Sequence, residues 1–341
     1  MMHVTQRTGR WAQGVSLLAL CLLGACTAIQ LATGARNRLD KLPITGVTAM
    51  LASGPGLAPG QSANLVLTAT GPDGKAWVTE GAGNGTVLWD SYTLEAQGVA
   101  VSPEGVVSLP ADPRLSEGRT GLLRARVVGH PEVATELAVP VRYDVNFICD
   151  VSSPAGAEGH TGADGKPGNN GTDGTTAPNR PGPGPGGNGG NGTNGRDGGN
   201  GQPGRAGPAI TVWMTLRQGP RPLLMVRVAD AQHLQDFLVD PEGGTLAISA
   251  NGGRGGRGGP GGKGGPGGAG GAGNPPGAAG VRGLDGRRGL DGLEGAAGTI
   301  TVVVDPKAER YLNRLRLSNH TGNGTPGQAP SIAVQPMAAL W

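Results

Sequence analysis

Between Pro43 and Tyr143 the apolar residues fall in short runs that alternate with polar ones. The runs are residues 47–51, 63–69, 86–89, 99–101, 106–109, 122–128 and 136–143. Turn sequences separate them, among them Ala58-Pro59-Gly60-Gln61, Gly71-Pro72-Asp73-Gly74 and Ser102-Pro103-Glu104-Gly105. A period of two bounded by Gly and Pro predicts strands. About seven of them over about 100 residues predict a β-sandwich. Trp77, Trp89 and Tyr92 are its candidate core aromatics. Further on, residues 209–216, 223–228, 235–239, 244–250 and 299–304 read as strands again, while 306–315 reads as one or two helical turns with Arg310, Arg314 and Arg316 on a solvated face.

Two segments follow neither period. Glycine recurs at every third position from Gly156 to Gly174 and, after a Pro-rich break, from Gly186 to Gly207. A second tract runs from Gly252 to Gly298, with Gly at 15 of the 16 triplet positions from Gly253 onward; the exception is Asn274, in a Pro-containing turn. Both tracts leave one strand and return into another, and the re-entries match: Ala206-Gly207-Pro208-Ala209-Ile210-Thr211-Val212 and Ala297-Gly298-Thr299-Ile300-Thr301-Val302. Such an internal repeat outweighs any single strand assignment.

A three-residue period places each third side chain on one edge of a polyproline-II helix. On the outward half, 252–273, two edges are Gly and the third carries Arg254, Arg257, Pro260, Lys263, Pro266, Ala269 and Ala272. On the return half one edge is Gly. A second is mostly apolar, Ala278, Val281, Leu284, Leu290 and Leu293, interrupted by Arg287. The third is charged, Arg282, Asp285, Arg288, Asp291 and Glu294. A bare Gly edge admits a neighbouring backbone, and packed backbones must pair their own N–H and C=O groups. The pattern predicts an antiparallel bundle with the two-Gly-edge leg inside and the one-Gly-edge leg outside. Two other structures stay open, a collagen-like trimer and a disordered Gly-rich loop. Only 4 Pro in 46 residues is lean for collagen, which usually carries about 15–20%.

These tracts resemble the polyglycine-type bundles of the springtail (snow flea) antifreeze protein and the Gly-rich tips of some phage adhesins. Residues 281–292 (VRGLDGRRGLDG) resemble bacterial collagen-like repeats. The strand-rich segment is similar to bacterial surface immunoglobulin-like modules. The expected fold is all-β: an Ig-like sandwich (44–145), then a small β-sheet carrying two long Gly-rich polyproline-II hairpin excursions (146–341).

The N-terminus adds an address. Arg7 and Arg10 precede an apolar stretch, residues 15–23, that is too short to span a bilayer as a helix. It ends in Leu23-Gly24-Ala25-Cys26. This resembles the bacterial lipoprotein signal, which implies a signal peptide over 1–25, lipid attachment at Cys26 and a tether over 26–43. The expected location is the bacterial cell envelope, at the outer membrane or cell surface, with the membrane as partner through the lipid. Cys149 is then the one cysteine remaining, which leaves no internal disulfide, and its strand-like setting reads as a buried small apolar residue.

Composition narrows the chemistry. There are 67 Gly among 341 residues, 3% aromatics and a net charge of +3 from 28 basic and 25 acidic residues. The near balance argues against nucleic acid as a partner. His130, His160, His233 and His320 are not spaced as metal pairs and adjoin no nucleophile motif. No catalytic residue, cofactor or metal is expected. One polar ladder, Asn188, Asn191, Asn194, Asp197 and Asn200, recurs every third residue. It reads either as a soluble edge or as a grip for sugar hydroxyls. The expected function is a structural or adhesive scaffold, without catalysis, whose ligand is an extracellular polysaccharide or another surface protein. The alternatives are a carbohydrate-binding surface module and a trimeric collagen-like stalk.

Overall fold

The structure, a computed structural model, describes residues 36–179 and 182–341. The expected signal peptide, Cys26 and most of the tether lie outside the described residues. Strands make up 34% and helices 5%, an all-β class. The chain divides into two units after Tyr143.

The first unit contains β1 (Gly46–Leu51), β2 (Ser62–Thr70), β3 (Ala76–Val78), β4 (Tyr92–Gln97), β5 (Ala100–Val101), β6 (Val106–Ser108), β7 (Thr120–Val127) and β8 (His130–Pro140). One sheet runs β1-β2-β6-β5 with β3 also on β2; the other runs β4-β7-β8. All pairs are antiparallel. Alternation decides which side chains go in. Ala63, Leu65, Leu67 and Ala69 of β2 are buried, as are Leu123, Ala125 and Val127 of β7, and both sets join one core with Leu39, Trp77, Val87 and Tyr92.

Two expectations need correction here. Residues 86–89 form no strand: Val87 is buried but makes only isolated bridges to Asn37 and Thr79, and a 3-10 turn starts at Trp89. Two apolar residues between turns are too few to sustain a ladder. Conversely β3 and β4 escape the pattern. In β4, only Tyr92 is buried, so its alternation carries little apolar signal.

The second unit contains β9 (Asn146–Asp150), β10 (Ala209–Arg217), β11 (Leu223–Ala229), β12 (Leu234–Val239), β13 (Thr245–Ser249), β14 (Thr299–Val304), β15 (Leu315–Ser318) and β16 (Ser331–Val334). The expected single small sheet is two. One runs β12-β11-β10-β14-β16, the other β15-β13-β9. The reason lies in the connections. β9 pairs with β13 in parallel, and β10 pairs with β14 in parallel. Parallel neighbours need long crossovers, and each Gly-rich tract leaves the first pair and enters the second. The core between the sheets includes Phe147 and Phe237, edge to face at 6.0 Å between ring centroids. Residues 309–314 form a 3-10 helix, and β15 and β16 follow it without a strong apolar period. The tail runs along β14, with Gln335 N donating to Val304 O and Met337 N to Asp305 Oδ2 at 3.0 Å.

Candidate functional site

The glycine tracts supply four legs, here numbered 1 (residues 156–174), 2 (186–207), 3 (252–273) and 4 (277–298). They take no helix or strand conformation. Their hydrogen bonds nonetheless repeat every third residue. Gly156, Gly159, Gly162, Gly165, Gly168, Gly171 and Gly174 of leg 1 donate to Arg254, Arg257, Pro260, Lys263, Pro266, Ala269 and Ala272 of leg 3. Gly189 to Gly204 of leg 2 donate to leg 4 carbonyls from Ala278 to Leu293 in the same way. Gly253 to Gly271 of leg 3 donate back to leg 2, from Arg205 O to Gly187 O. Gly277 to Gly295 of leg 4 donate to leg 3, and residues 187–202 of leg 2 also donate to leg 1. All fall between 2.7 and 3.0 Å, the ordinary N–H···O range.

Legs 2 and 3 therefore each bond with three others, while legs 1 and 4 bond with two. The two-Gly-edge leg 3 is inside and the one-Gly-edge leg 4 outside. Leg 2, with only one unbroken Gly edge, is also inside. Its Asn ladder runs along an exposed edge beside leg 4, where the short side chains extend the backbone's own bonding. Glycine is mandatory on the touching edges. A Cβ on Gly262 would collide with the carbonyl of Ala163, on Gly195 with that of Gly262, and on Gly286 with that of Arg196.

Register comes from the strands. Asn146 of β9 aligns with Thr245, an offset of 99 residues, and Ala209 of β10 aligns with Thr299, an offset of 90. The same offsets persist in the legs. Asp164 Oδ1 accepts from Lys263 N, Asn170 Oδ1 from Ala269 N and Asp173 Oδ1 from Ala272 N, all 99 apart. Where leg 3 has Pro and hence no N–H, leg 1 has no Asn or Asp: Pro167 stands opposite Pro266, and Thr161 opposite Pro260. Each side-chain acceptor is placed where a donor exists.

The predicted polar ladder obeys the same rule at offset 90. Asn188 Oδ1 accepts from Ala278 N, Asn191 from Val281 N, Asn194 from Leu284 N, Asp197 from Arg287 N and Asn200 from Leu290 N, at 2.7–2.9 Å. These oxygens are occupied by the neighbouring backbone. What the ladder still offers outward is one amide NH₂ per Asn and the second Asp197 oxygen.

The charged edge of leg 4 is a clamp on leg 3, a role its charge pattern alone does not announce. Asp285 Oδ1 accepts from Gly264 N, Arg282 Nε donates to Gly264 O, and Arg282 and Asp285 pair at 2.9 Å. Asp291 and Arg288 hold Gly258 identically, with their own pair at 2.8 Å. Glu294 Oε2 accepts from Gly255 N. Arg-Gly-Leu-Asp-Gly thus reads both polar groups of one facing glycine. The signal was present in the sequence, as two copies of that pentapeptide six residues apart.

The remaining candidates are scattered. His160 lies over Gly199. His233 caps a turn with Asp230, and His320 contacts Asn251 and Ser318. Among the described residues no three His, Cys, Asp or Glu side chains gather as a metal site. Cys149 is buried in β9, with Sγ 3.7 Å from Gln235 Oε1. Burial, then the charges of Asp150 and Asp230, push its thiol up to about 11. A thiol so placed is a poor nucleophile. In the first unit a shallow depression is lined by Trp89, Asp90, Tyr92, Leu94, Val101 and Pro103. Among the described residues no helix is long and apolar enough to cross a membrane. No protein-family model, curated protein sequence or solved structure matches the chain.

Proposed function

We propose that this protein is a lipid-anchored bacterial surface scaffold. In this reading Cys26 carries the lipid, the first unit is an Ig-like sandwich, and the four legs are polyproline-II strands forming a stiff shaft. At about 3.1 Å per residue, legs of this size reach roughly 65–70 Å. The scaffold presents its decorated edges and turns to an extracellular polysaccharide or another surface protein, and performs no catalysis.

One observation carries the reading: the inward glycines of all four legs donate to carbonyls of other legs. Polar groups so committed serve architecture, not chemistry. The same bonds argue for the bundle over a collagen-like trimer, which would require their release to partner chains. A second reading, a carbohydrate-binding module, draws support from the depression at Trp89, since a half-buried aromatic beside the acid Asp90 suits a sugar ring. Metabolic labelling with a radioactive fatty acid, comparing the full chain with Cys26→Ser, tests the anchor. Adhesion of cells displaying the full chain, compared with Gly262→Ala and with Trp89→Ala, tests the rest. The scaffold reading expects loss with the glycine variant alone; loss with the tryptophan variant alone supports sugar binding.

A further inference from the structure

Leg 4 turns an apolar ridge to solvent. Val281 is 69% exposed, Leu284 72%, Leu290 73% and Leu293 80%. Large apolar side chains this exposed in a row, rimmed by polar groups, mark an interaction surface. The ridge is also rigid before any partner arrives. Its carbonyls accept from leg 2 glycines, and its N–H groups from Ala278 to Leu290 are held by the Asn ladder. Little ordering entropy remains to be lost on binding.

The ridge reads nearly the same in both directions from Arg287, the one difference being Val281 against Leu293. Leu284 and Leu290 lie three residues either side, Val281 and Leu293 six, Ala278 and Ala296 nine. We propose that this ridge is a self-association surface whose occupant is the same ridge of a second copy, antiparallel about a two-fold axis through Arg287. In that arrangement Leu284 meets Leu290 of the second copy, Val281 meets Leu293, and Ala278 meets Ala296. A two-fold contact demands such self-complementarity.

The flanks fit the same register. A two-fold perpendicular to the ridge sets like flanks against each other with their order reversed. On the charged flank, Arg288 then falls nearest Asp285 of the second copy, and Arg282 nearest Asp291. These side chains are about 60% exposed and so remain accessible to it. On the ladder flank one position breaks the Asn series. Asp197 stands level with Arg287, its Oδ1 accepting from Arg287 N. At the axis, two Arg287 and two Asp197 form a ring of alternating charge. The one charged residue in the ridge thus has its counter-charge at the same level. The ridge spans about 56 Å and is roughly 10 Å wide, so the pair buries on the order of 1,100 Å² in total, the size of a weak, reversible interface. The inference rests on the leg arrangement and not on surface anchoring.

Sedimentation equilibrium of the full chain in density-matched detergent tests it, with glycine amide exchange in the legs as the folding control. The parent chain should be a reversible dimer in the micromolar range. Leu284→Arg with Leu290→Arg should weaken it more than 10-fold with leg protection unchanged. Asp197→Asn keeps the ladder oxygen but removes the counter-charge, and should weaken it several-fold. Adding Arg287→Leu to Asp197→Asn should restore or tighten it. A parent chain monomeric at 100 μM (roughly the upper end for a weak interface), or a dimer indifferent to the leucine pair, overturns the proposal. Rapid exchange throughout the parent legs would instead overturn the bundle itself.

Discussion

A single methyl group separates two glycines that look alike in sequence. At Gly262 an added Cβ runs into the carbonyl of Ala163, a backbone atom that cannot step aside. At Gly190, on an exposed edge, such a Cβ would meet Asn169 N at 3.2 Å and Asn169 O at 3.4 Å, contacts that a shift of a few tenths of an ångström relieves. Gly262→Ala should destabilise the second unit by at least about 3 kcal/mol, as forced overpacking does, whereas Gly190→Ala should stay within about 1 kcal/mol. Urea unfolding of both variants separates them; equal losses would show that glycine acts here through flexibility alone. The ladder gives a second contrast. Asn194→Ala leaves Leu284 N without its acceptor, for a loss of about 1 kcal/mol. Asn194→Asp keeps the acceptor, as Asp197 does naturally, and should be close to neutral in the same titration. Cys149 offers a third. Its burial predicts that, in a chain with Cys21→Ser and Cys26→Ser, thiol reagents label it only on unfolding; quick labelling of the native protein would contradict the buried placement.

At the scale of the element, the legs behave as a lattice with a step of three. Removing one layer from every leg (165–167, 192–194, 264–266 and 282–284) returns each glycine to an equivalent neighbour. Deleting Gly264 alone rotates the rest of leg 3 by a third of a turn and drives its decorated edge inward. The layered deletion should keep slow amide exchange in all four legs, and the single deletion should abolish it beyond Gly264. The triplet logic was legible in the sequence because glycine spacing reports edges directly, as with the two-Gly-edge leg that lies inside. The lateral order of the legs was not, because it is set by offsets of 99 and 90 residues between strands. The division into two sheets escaped for the same reason, and β4 escaped because a strand burying one side chain has almost no period. The ladder residues were visible, but their oxygens proved to serve the backbone of the next leg.

The tail belongs to this scale too. The N–H of Met337, then that of Lys307, hold the Asp305 carboxyl below its ordinary value of 3.8. A folded carboxyl that is the stronger acid stabilises at pH above the ordinary value, and that contribution is lost as pH falls through the lowered one. The Trp341 ring, 5.7 Å from the Arg227 guanidinium, should therefore detach in acid. Its fluorescence should change below about pH 4, and in Asp305→Ala it should already be changed, and flat, across that range. A wild-type signal unaltered down to pH 2, reached before global unfolding, would show that the carboxylate does not hold the tail.

For the whole molecule, the two units unfold against different physics. The first buries alternating aliphatic side chains, Leu65, Leu67, Leu123 and Val139 among them. The second combines an ordinary core between its sheets with four legs whose interior is peptide groups and Cα atoms. Exposing apolar surface raises the heat capacity and exposing polar surface lowers it, by about +0.45 and −0.26 cal/mol/K per Å². The legs release mostly peptide surface on unfolding, so their contribution to the heat-capacity change should be small. The second unit should then fall well below the usual 12–15 cal/mol/K per residue, with the first unit near it. A smaller heat-capacity change flattens the stability curve, so the second unit should lose less on cooling than a domain held by side chains. Scanning calorimetry of the full chain, with Gly262→Ala marking the second unit's transition, reads both quantities. Two transitions with the same heat-capacity change per residue would mean that the legs bury apolar surface after all, and the view of glycine edges as a backbone-bonded interior would have to be given up.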